Sequence, residues 1–298
     1  MNPLIRRIQN KVPKESFIYI IAKKIYMLPR LWFTKYGYLY NYLILPIIGL
    51  LREYHIKPFY DSNSKLLESL KGKHKGKRCF IIATGPSLRI DDVEMLKDEI
   101  TIGVNSLYRL FDKTDFRPTY YTVLDPDGQR NVEEHLNDYS SFCTEHMFFN
   151  PIRKSKNKKI NYISICYQNH WYNVFTPGFD YLKNLKYTSN VMKYIYDKYT
   201  ITNAAIELAI YMGCKEIYLL GVDCNYTGPK IYFDDLKKAT HEEREKGYYT
   251  QKAMMAGYKF MEYETRKRGV HIFNATRGGL LEEFDRVDFD SLFEKSVK

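Results

Sequence analysis

From about residue 78 onward, short apolar runs alternate with longer segments that carry charged side chains. Short apolar runs that end at turn residues are typical of buried strands, and longer amphipathic segments are typical of helices. The runs that predict strands are Cys79–Thr84, Ile100–Val104, Tyr120–Leu124, Ile160–Ile165, Glu216–Leu220 and Val270–Phe273. The segments that predict helices are Asp91–Asp98, Asn203–Met212 and Thr250–Arg268.

This alternation predicts an α/β fold, a Rossmann-like open and mostly parallel sheet with helices on both faces. Ligands of such sheets bind outside the carboxyl ends of the strands. Small, polar or acidic residues follow five of the predicted strands: Gly85-Pro86-Ser87, Asn105, Asp125, Asp223 and Asn274. Turn formation explains the glycine and the proline but explains the whole set less well, so we expect a ligand site at this edge.

The Gly85-Pro86-Ser87 turn has the chemistry of a phosphate site. Gly85 allows a close approach of the backbone, and Ser87 adds a hydroxyl and an amide near the start of a helix. The motif is neither a dinucleotide fingerprint nor a Walker loop. Asn105, after the next strand, is expected to bind a base or a ribose through its amide, with turn capping as the alternative.

Further polar residues extend the predicted ligand site. Thr202 and Asn203 stand where a second helix begins, and either can donate to a phosphate or ribose or act as an ordinary N-cap. Asp223 suits a ribose hydroxyl, a metal or an internal hydrogen bond. No HExxH, GxSxG or Cys/His ligand spacing points to a metal or a nucleophile. The site is therefore expected to hold no metal.

The candidate catalytic residues follow Asp223 along the chain. Tyr226 and Tyr232 are expected in a loop, where phenol hydroxyls can stabilise a departing phosphate. His241, in a charged stretch before the next predicted helix, is the first candidate for a general base because histidine titrates near neutral pH. His170 is the second candidate. A solvated surface histidine is the alternative for His241.

Charge is distributed unevenly along the chain. Residues 1–78 carry 16 basic and 4 acidic side chains, whereas residues 79–298 carry 30 and 31. A nucleic-acid-binding protein usually carries its basic charge on the folded domain, so a nucleic-acid partner is not expected. The five cysteines include no CxxC pair, which favours free thiols in a reducing cytoplasm.

The first 77 residues have the pattern of a membrane-surface segment. Between residues 16 and 51, apolar runs alternate with Lys and Arg, and the longest uncharged stretch, Tyr36–Leu51, has 16 residues. A spanning helix needs about 20. We therefore predict a basic amphipathic segment over 1–77 that lies on an anionic membrane, on the cytoplasmic inner face, or packs as a helical subdomain. The basic run Lys71–Arg78 is predicted to be the boundary with a catalytic domain over 78–298.

Two longer stretches resemble a known family. Thr200–Asp223 and Ile272–Asp290, together with Ile81–Leu88 and Asn105, resemble the MptE-like family across roughly residues 78–292. The order of these motifs is also similar to that of the Cst-type bacterial sialyltransferases. In that group a GPSL turn, an Asn at the next strand end and a Gly-x-Asp strand end bind a CMP-sugar.

The resemblance implies a metal-independent glycosyltransferase of bacterial surface polysaccharide or glycoconjugate synthesis. Its donor would be a nucleotide-activated sugar, with CMP favoured, and its acceptor a glycan or a glycolipid. Tyr226 and Tyr232 match the two tyrosines that hold the departing phosphate in the sialyltransferases. The position of the family's histidine base falls on Lys252, so the base is either missing or replaced by His241 from the preceding loop. The enzyme would need no cofactor, and a homo-oligomer is possible.

Two alternatives to a transferase remain open from the sequence. The MptE-like group also resembles a pterin diphosphokinase, which would use ATP with Mg²⁺ held by Asp125 and Asp223. The other alternative is a non-catalytic nucleotide- or glycan-binding partner of a polysaccharide-assembly complex.

Overall fold

The structure is a computed structural model that describes residues 39–152, 154–167, 179–183, 185–233 and 241–294, without the side chains of residues 241–243 and 245. The chain divides into two compact units, residues 1–47 and residues 48–298. The described end of the first unit holds a short π-helix, Tyr40–Ile44. The second unit contains the sheet, and it begins 30 residues before the predicted boundary at residue 78.

Ten strands and six α-helices form the described part of the chain. The strands are β1 Arg78–Ile82, β2 Ile100–Val104, β3 Tyr120–Val123, β4 His146–Phe149, β5 Ile160–Tyr162, β6 Ile165–Cys166, β7 Ile195–Tyr196, β8 Glu216–Leu220, β9 His271–Asn274 and β10 Asp285–Arg286. The α-helices are α1 Leu45–Glu53, α2 Ser62–Ser69, α3 Ile90–Glu94, α4 Pro126–His135, α5 Ile201–Tyr211 and α6 His241–Arg266.

Eight strands make one sheet in the order β10-β9-β8-β1-β2-β3-β4-β5, and β6 pairs with β7 in a second small sheet. Every strand pair described is parallel. The predicted Rossmann-like α/β fold is therefore confirmed. The chain enters the sheet at its centre, with β1 between β2 and β8, so the carboxyl ends of these three strands meet at one edge.

The central strands are apolar because both faces of the sheet are covered. In β1, Cys79 and Ile81 pack into one core with α5, while Phe80 and Ile82 pack into a second core on the opposite face. This alternation follows from the two-residue repeat of a strand. Helix α5 is buried along nearly its whole length, which explains its almost continuous apolar sequence.

Several elements differ from the predictions. The predicted strand Ile160–Ile165 is two strands, of which β5 pairs with β4 and β6 pairs with β7. Strand β4 was not predicted, and α6 begins nine residues before the predicted Thr250. The predicted caps of α5, Thr202 and Asn203, lie inside the helix, because the Thr200 hydroxyl accepts the Thr202 N–H at 3.3 Å and Thr200 is the N-cap.

The basic run after α2 is an ordered turn. Its backbone N–H groups at residues 72, 74 and 76 donate to the carbonyls of Tyr211, Met212 and Gly213 at 3.0, 2.7 and 2.9 Å. These carbonyls belong to the carboxyl end of α5, where a helix leaves its last acceptors unpaired. The turn therefore caps α5 and also places several lysines near the negative end of the helix dipole.

Candidate active site

A cavity of about 650 Å³ lies at the carboxyl ends of β1, β2, β3 and β8. The segment that leads into α5 and the first turns of α6 complete its walls. This volume is in the range of sites that bind small molecules. Of the residues predicted for the site, those that line the cavity are Gly85, Asn105, Asp125, Thr202, Asp223, Tyr226 and Tyr232.

The Asp223 carboxylate occupies the Gly85-Pro86-Ser87 turn that the sequence predicted for a phosphate. The N–H and the hydroxyl of Ser87 both donate to Asp223 Oδ2, at 3.3 and 2.8 Å. A Cβ at Gly85 would lie 2.0 Å from the same oxygen, so the glycine is needed for Asp223 to approach. Burial raises the pKa of Asp223, and the Ser87 bonds only partly oppose this. Gly85 lines the cavity, whereas Pro86 and Ser87 do not.

Asn105 is held in a left-handed backbone conformation, with φ of +48°. Its carbonyl accepts the Tyr121 hydroxyl at 2.6 Å, whereas its buried side-chain Oδ1 has no hydrogen-bond partner in the described chain. Tyr199 and Cys224, with φ of +65° and +53°, also line the cavity. Among the described residues other than glycine, His55 alone has a positive φ elsewhere. Such strain concentrates at functional sites, and it favours this cavity as one.

Asp125 ends β3 and starts α4. Its Oδ1 accepts the Gly128 N–H at 2.7 Å, Pro126 occupies the first turn, and the exposed Asp127 pairs with Arg130 at 3.3 Å. An N-cap aspartate followed by proline and a second acidic residue is a favourable helix start. Helix capping thus accounts for Asp125 and Asp127 at this position.

Two residues predicted to bind the ligand lie outside the cavity lining and bond to backbone groups of the protein. The Asn203 amide is fully buried and donates to the Lys198 carbonyl at 3.0 Å. The Asn274 amide donates to the Leu281 carbonyl at 2.8 Å, and its oxygen accepts the Thr276 N–H at 3.0 Å. Both side chains thus connect neighbouring backbone segments through these bonds.

Tyr226 and Tyr232 lie together on the cavity wall. Burial raises the pKa of Tyr226 well above its usual value, and the neighbouring Tyr232 adds to the rise. The Tyr226 phenol is therefore neutral over the whole physiological pH range and remains a hydrogen-bond donor. Helix α6 packs directly on this loop, since a Cβ at Gly247 would lie 2.0 Å from the Tyr226 carbonyl oxygen.

The structure describes little of the two histidines that were predicted as candidate bases. His241 is the first residue of α6, so its prediction as a loop residue is wrong, and its side chain lies outside the described part of the structure. His170 is also outside the described residues. Lys252 does not line the cavity, and its ammonium lies 4.4 Å from the centroid of the Tyr248 ring.

Sequence reasoning missed the segment that leads into α5. Asp197, Lys198 and Tyr199 all line the cavity. The Lys198 ammonium pairs with Glu207 of α5 at 3.0 Å, and both side chains are fully buried. Glu207 was the available signal, because a carboxylate inside an otherwise apolar helix needs a buried partner.

The described residues contain no group of three or more His, Cys, Asp or Glu side chains arranged to hold a metal ion. All five cysteines are free thiols, and four of them are buried. Burial raises the pKa of Cys224, which lines the cavity, to about 12. This thiol is therefore not a thiolate at neutral pH.

The model of one protein family, described as 6-hydroxymethylpterin diphosphokinase MptE-like, matches residues 55–229. The chain belongs to this MptE-like family. The resemblance drawn from the strand-end motifs is thereby confirmed. No curated protein sequence matches this MptE-like chain.

Two solved structures are similar to this MptE-like protein. One is the MAf glycosyltransferase from Magnetospirillum magneticum AMB-1, with 18% identity over 78% of this chain and a TM-score of 0.46. The match spans 39% of that longer protein. The other is the sialyltransferase CstII from Campylobacter jejuni in complex with cytidine-5'-monophosphate, with 16% identity over 72% of this chain and 85% of that one and a TM-score of 0.42. At these identities the likeness concerns the fold alone.

Proposed function

We propose that this protein transfers a sugar from a nucleotide-activated donor, with CMP favoured, to a glycan or glycolipid acceptor in bacterial surface polysaccharide or glycoconjugate synthesis. The observation that carries the proposal is the pair of cavity tyrosines, Tyr226 and Tyr232. Negative charge grows on the phosphate as its bond to the sugar breaks, and fixed donors stabilise that charge. A neutral phenol is such a donor and does not depend on a cation.

In this mechanism the acceptor hydroxyl attacks the anomeric carbon directly, and the nucleotide leaves with the bonding electrons. The amino end of α5, at Thr200–Thr202, lines the cavity, and the positive end of its dipole favours a phosphate nearby. We propose His241 as the base that accepts the proton of the acceptor hydroxyl. Its position at the amino end of α6 puts it on the same helix as Lys246 and Gly247, which line the cavity.

The family description favours one second candidate, a diphosphokinase that uses ATP and Mg²⁺. Asp125 and Asp223 line the cavity, but each already has a carboxylate oxygen engaged, by Gly128 and by Ser87. The described residues therefore do not form a ready set of Mg²⁺ ligands.

Thermal unfolding with a panel of nucleotides separates these functions. A ligand that binds the folded state at about 100 times its Kd stabilises it by about 2.7 kcal/mol, which corresponds to roughly 5–10 °C in Tm. We expect CMP to raise the Tm in EDTA more than UDP, GDP or ATP. A rise with ATP and Mg²⁺ alone would favour the diphosphokinase, and no rise with any nucleotide would contradict both enzymes.

The catalytic part of the proposal is tested with Tyr226→Phe, which keeps the ring and removes the donor. We expect a 10²- to 10³-fold lower rate of CMP release from a CMP-sugar, the usual effect of removing one such donor. CMP affinity should change only a few-fold. Tyr263→Phe on the exposed side of α6 is the matched control and should leave the rate unchanged. Equal rates for the two variants would remove Tyr226 from the mechanism.

We also propose that the amino-terminal region binds an anionic membrane surface. Its support is a set of apolar side chains that are exposed within the basic amphipathic segment over 1–77: Leu50, Tyr54, Ile56 and Phe59. No helix in the described chain combines the length and the apolar character needed to cross a bilayer. Exposed apolar groups next to basic charge suit the headgroup region of an anionic leaflet.

Sedimentation of the full chain with vesicles tests this. At low salt we expect binding to vesicles that contain phosphatidylglycerol and little binding to pure phosphatidylcholine. The double variant Leu50→Asp/Tyr54→Asp should lose this binding, whereas Ile152→Asp, at an equally exposed apolar residue outside the segment, should keep it. The absence of wild-type binding would instead favour the packed helical subdomain.

A further inference from the structure

Asp197 is a cavity residue whose carboxylate is only half satisfied. Its Oδ1 accepts the N–H of Tyr199 at 3.0 Å. Its Oδ2 is buried and has no hydrogen-bond partner among the described residues. Buried carboxylate oxygens nearly always have a donor, so this one calls for an explanation.

The surrounding structure holds the carboxylate in place without neutralising it. The ammonium of the next residue, Lys198, is occupied by Glu207 at 3.0 Å and by the Tyr196 carbonyl at 2.8 Å. The Asp197 N–H donates to the Cys166 carbonyl at 3.0 Å, which ties the segment to β6. The backbone is thus fixed on both sides of Asp197, and the side chain is already positioned before a ligand arrives.

Burial raises the pKa of Asp197 to about 6, and the hydrogen bond from the Tyr199 N–H and the charge of Lys198 oppose this rise. The Tyr167 phenol also faces Asp197, and burial and this carboxylate raise the pKa of the phenol, so it remains neutral. A structural carboxylate is usually stabilised in its charged form by its neighbours. Here the charged form is destabilised in the free protein, which is typical of functional sites.

A second buried acceptor in the cavity also lacks a hydrogen-bond donor. Asn105 Oδ1 is also buried, also lacks a partner in the described chain, and also belongs to a residue of the cavity wall. Both unpaired atoms are acceptors, so the missing partner must be a donor. A nucleotide supplies such donors as ribose hydroxyls, and a sugar supplies them as its own hydroxyls.

We propose that Asp197 binds a hydroxyl group of the ligand, with Oδ2 accepting its hydrogen bond, and that the ribose of the nucleotide supplies this hydroxyl. The proposal rests on the proposed function, because it assumes a nucleotide in the cavity. Carboxylates bind ribose hydroxyls in other open α/β sheets, where the hydroxyl satisfies an oxygen that would otherwise be unpaired.

The test is isothermal titration calorimetry, in which CMP is titrated into the full chain and its affinity is measured. Asp197→Asn preserves Oδ1 and its bond from Tyr199, and replaces only the unpaired acceptor with a donor. We expect it to weaken CMP binding about 10- to 100-fold at pH 8, the cost of losing a hydrogen bond to a charged group. Asp180→Asn is a close control, because the Asp180 Oδ1 accepts the N–H two residues later at 3.0 Å in the same way, outside the cavity. Its affinity should equal that of the wild type.

Deoxy-nucleotides identify the group that Asp197 binds. If it is a ribose hydroxyl, 2′,3′-dideoxy-CMP should bind the wild type as weakly as CMP binds Asp197→Asn, and the variant should bind both nucleotides equally. If Asp197→Asn leaves CMP binding unchanged, the proposal is overturned, even if it weakens binding of the intact CMP-sugar. An equal loss for CMP and the dideoxy analogue would overturn the hydroxyl assignment.

A stability measurement guards against a trivial loss of binding through unfolding. The ligand-free Asp197→Asn protein should have a Tm at pH 8 that is equal to or above that of the wild type, because it removes a buried charge. A clear drop in Tm would mean that Asp197 is structural and would overturn the proposal.

If the wild type binds no CMP while UDP or ATP does bind, the choice of CMP fails. The affinities of the wild type and Asp197→Asn for that other nucleotide then show whether Asp197 binds its ribose. If no nucleotide binds the wild type, the proposed function fails together with this inference.

Discussion

The buried ion pair between Lys198 and Glu207 allows a quantitative prediction. Lys198→Met keeps the length of the side chain but leaves the Glu207 carboxylate buried without its cation. Both side chains are fully buried, and without Lys198 the only hydrogen bond described to the Glu207 carboxylate is the one that its Oε1 accepts from the Thr188 N–H at 3.1 Å. We expect the variant to lose about 3–5 kcal/mol of unfolding free energy, the usual cost of breaking a buried pair. That is a loss of roughly 6–20 °C in Tm for a unit of this size.

The loss should depend on pH in a defined direction. Burial already raises the pKa of Glu207, and removal of Lys198 raises it further. A carboxyl with a higher pKa in the folded than in the unfolded state destabilises the fold as the pH rises through that interval. The Lys198→Met variant should therefore lose more stability at pH 8 than at pH 5, where the carboxyl takes up a proton.

Urea unfolding of four proteins tests the reasoning: the wild type, Lys198→Met, Glu207→Gln and the double variant. Since the double variant has no unpaired charge, we expect it to recover most of the loss and to lie within about 2 kcal/mol of the wild type. Lys193→Met breaks a partly exposed pair with Glu53 and is the control, with an expected loss below about 1 kcal/mol. If the losses of the two single variants simply add in the double variant, the pair is not coupled and the reasoning is refuted.

Three further predictions concern two residues of the cavity wall and the proposed base. Gly85→Ala should lower the Tm by several degrees, and full stability of this single variant would contradict the reasoning. Adding Asp223→Ala should recover only part of the lost Tm, because the Cβ at residue 85 would still lie 2.6 Å from a backbone carbonyl oxygen. Thr200→Ala should cost about 0.5–2 kcal/mol in urea unfolding and Thr200→Ser little, because Thr200 caps α5. If His241 is the base, His241→Ala should lower kcat about 10²- to 10⁴-fold with unchanged CMP affinity, and full activity would exclude it.

The fold was largely predictable where hydrophobicity alone decides the structure. Strands β2 and β8 have the predicted bounds, since each is an apolar run between turn residues and packs on both faces. The start of α6 was missed because the residues before Thr250 are mostly polar and show no apolar period to detect. Strand β4 was missed although Asn150-Pro151 marks its end, because its apolar run Met147–Phe149 has only three residues.

The candidate site was predictable in its location and less so in its contacts. Parallel strands bring their carboxyl ends to one edge, and Asn105, Asp125 and Asp223 therefore meet at the cavity as expected. The bond between Ser87 and Asp223 joins residues 136 positions apart, and local sequence patterns contain no information about such pairs. The role of Asp197 was hidden for the same reason, because its missing partner is visible only once its surroundings are known.

Both ends of α5 are held by hydrogen bonds, and this restricts the insertions and deletions that the helix can tolerate. One end is capped by Thr200 at the cavity, and the other is bound by the N–H groups of the turn at residues 72–76. Adding or deleting one residue in an α-helix shifts its end by about 1.5 Å and rotates it by about 100°. No single insertion in α5 can therefore preserve both attachments. Insertions and deletions should be tolerated at many surface loops of this protein, but the 11-residue length of α5 should be kept.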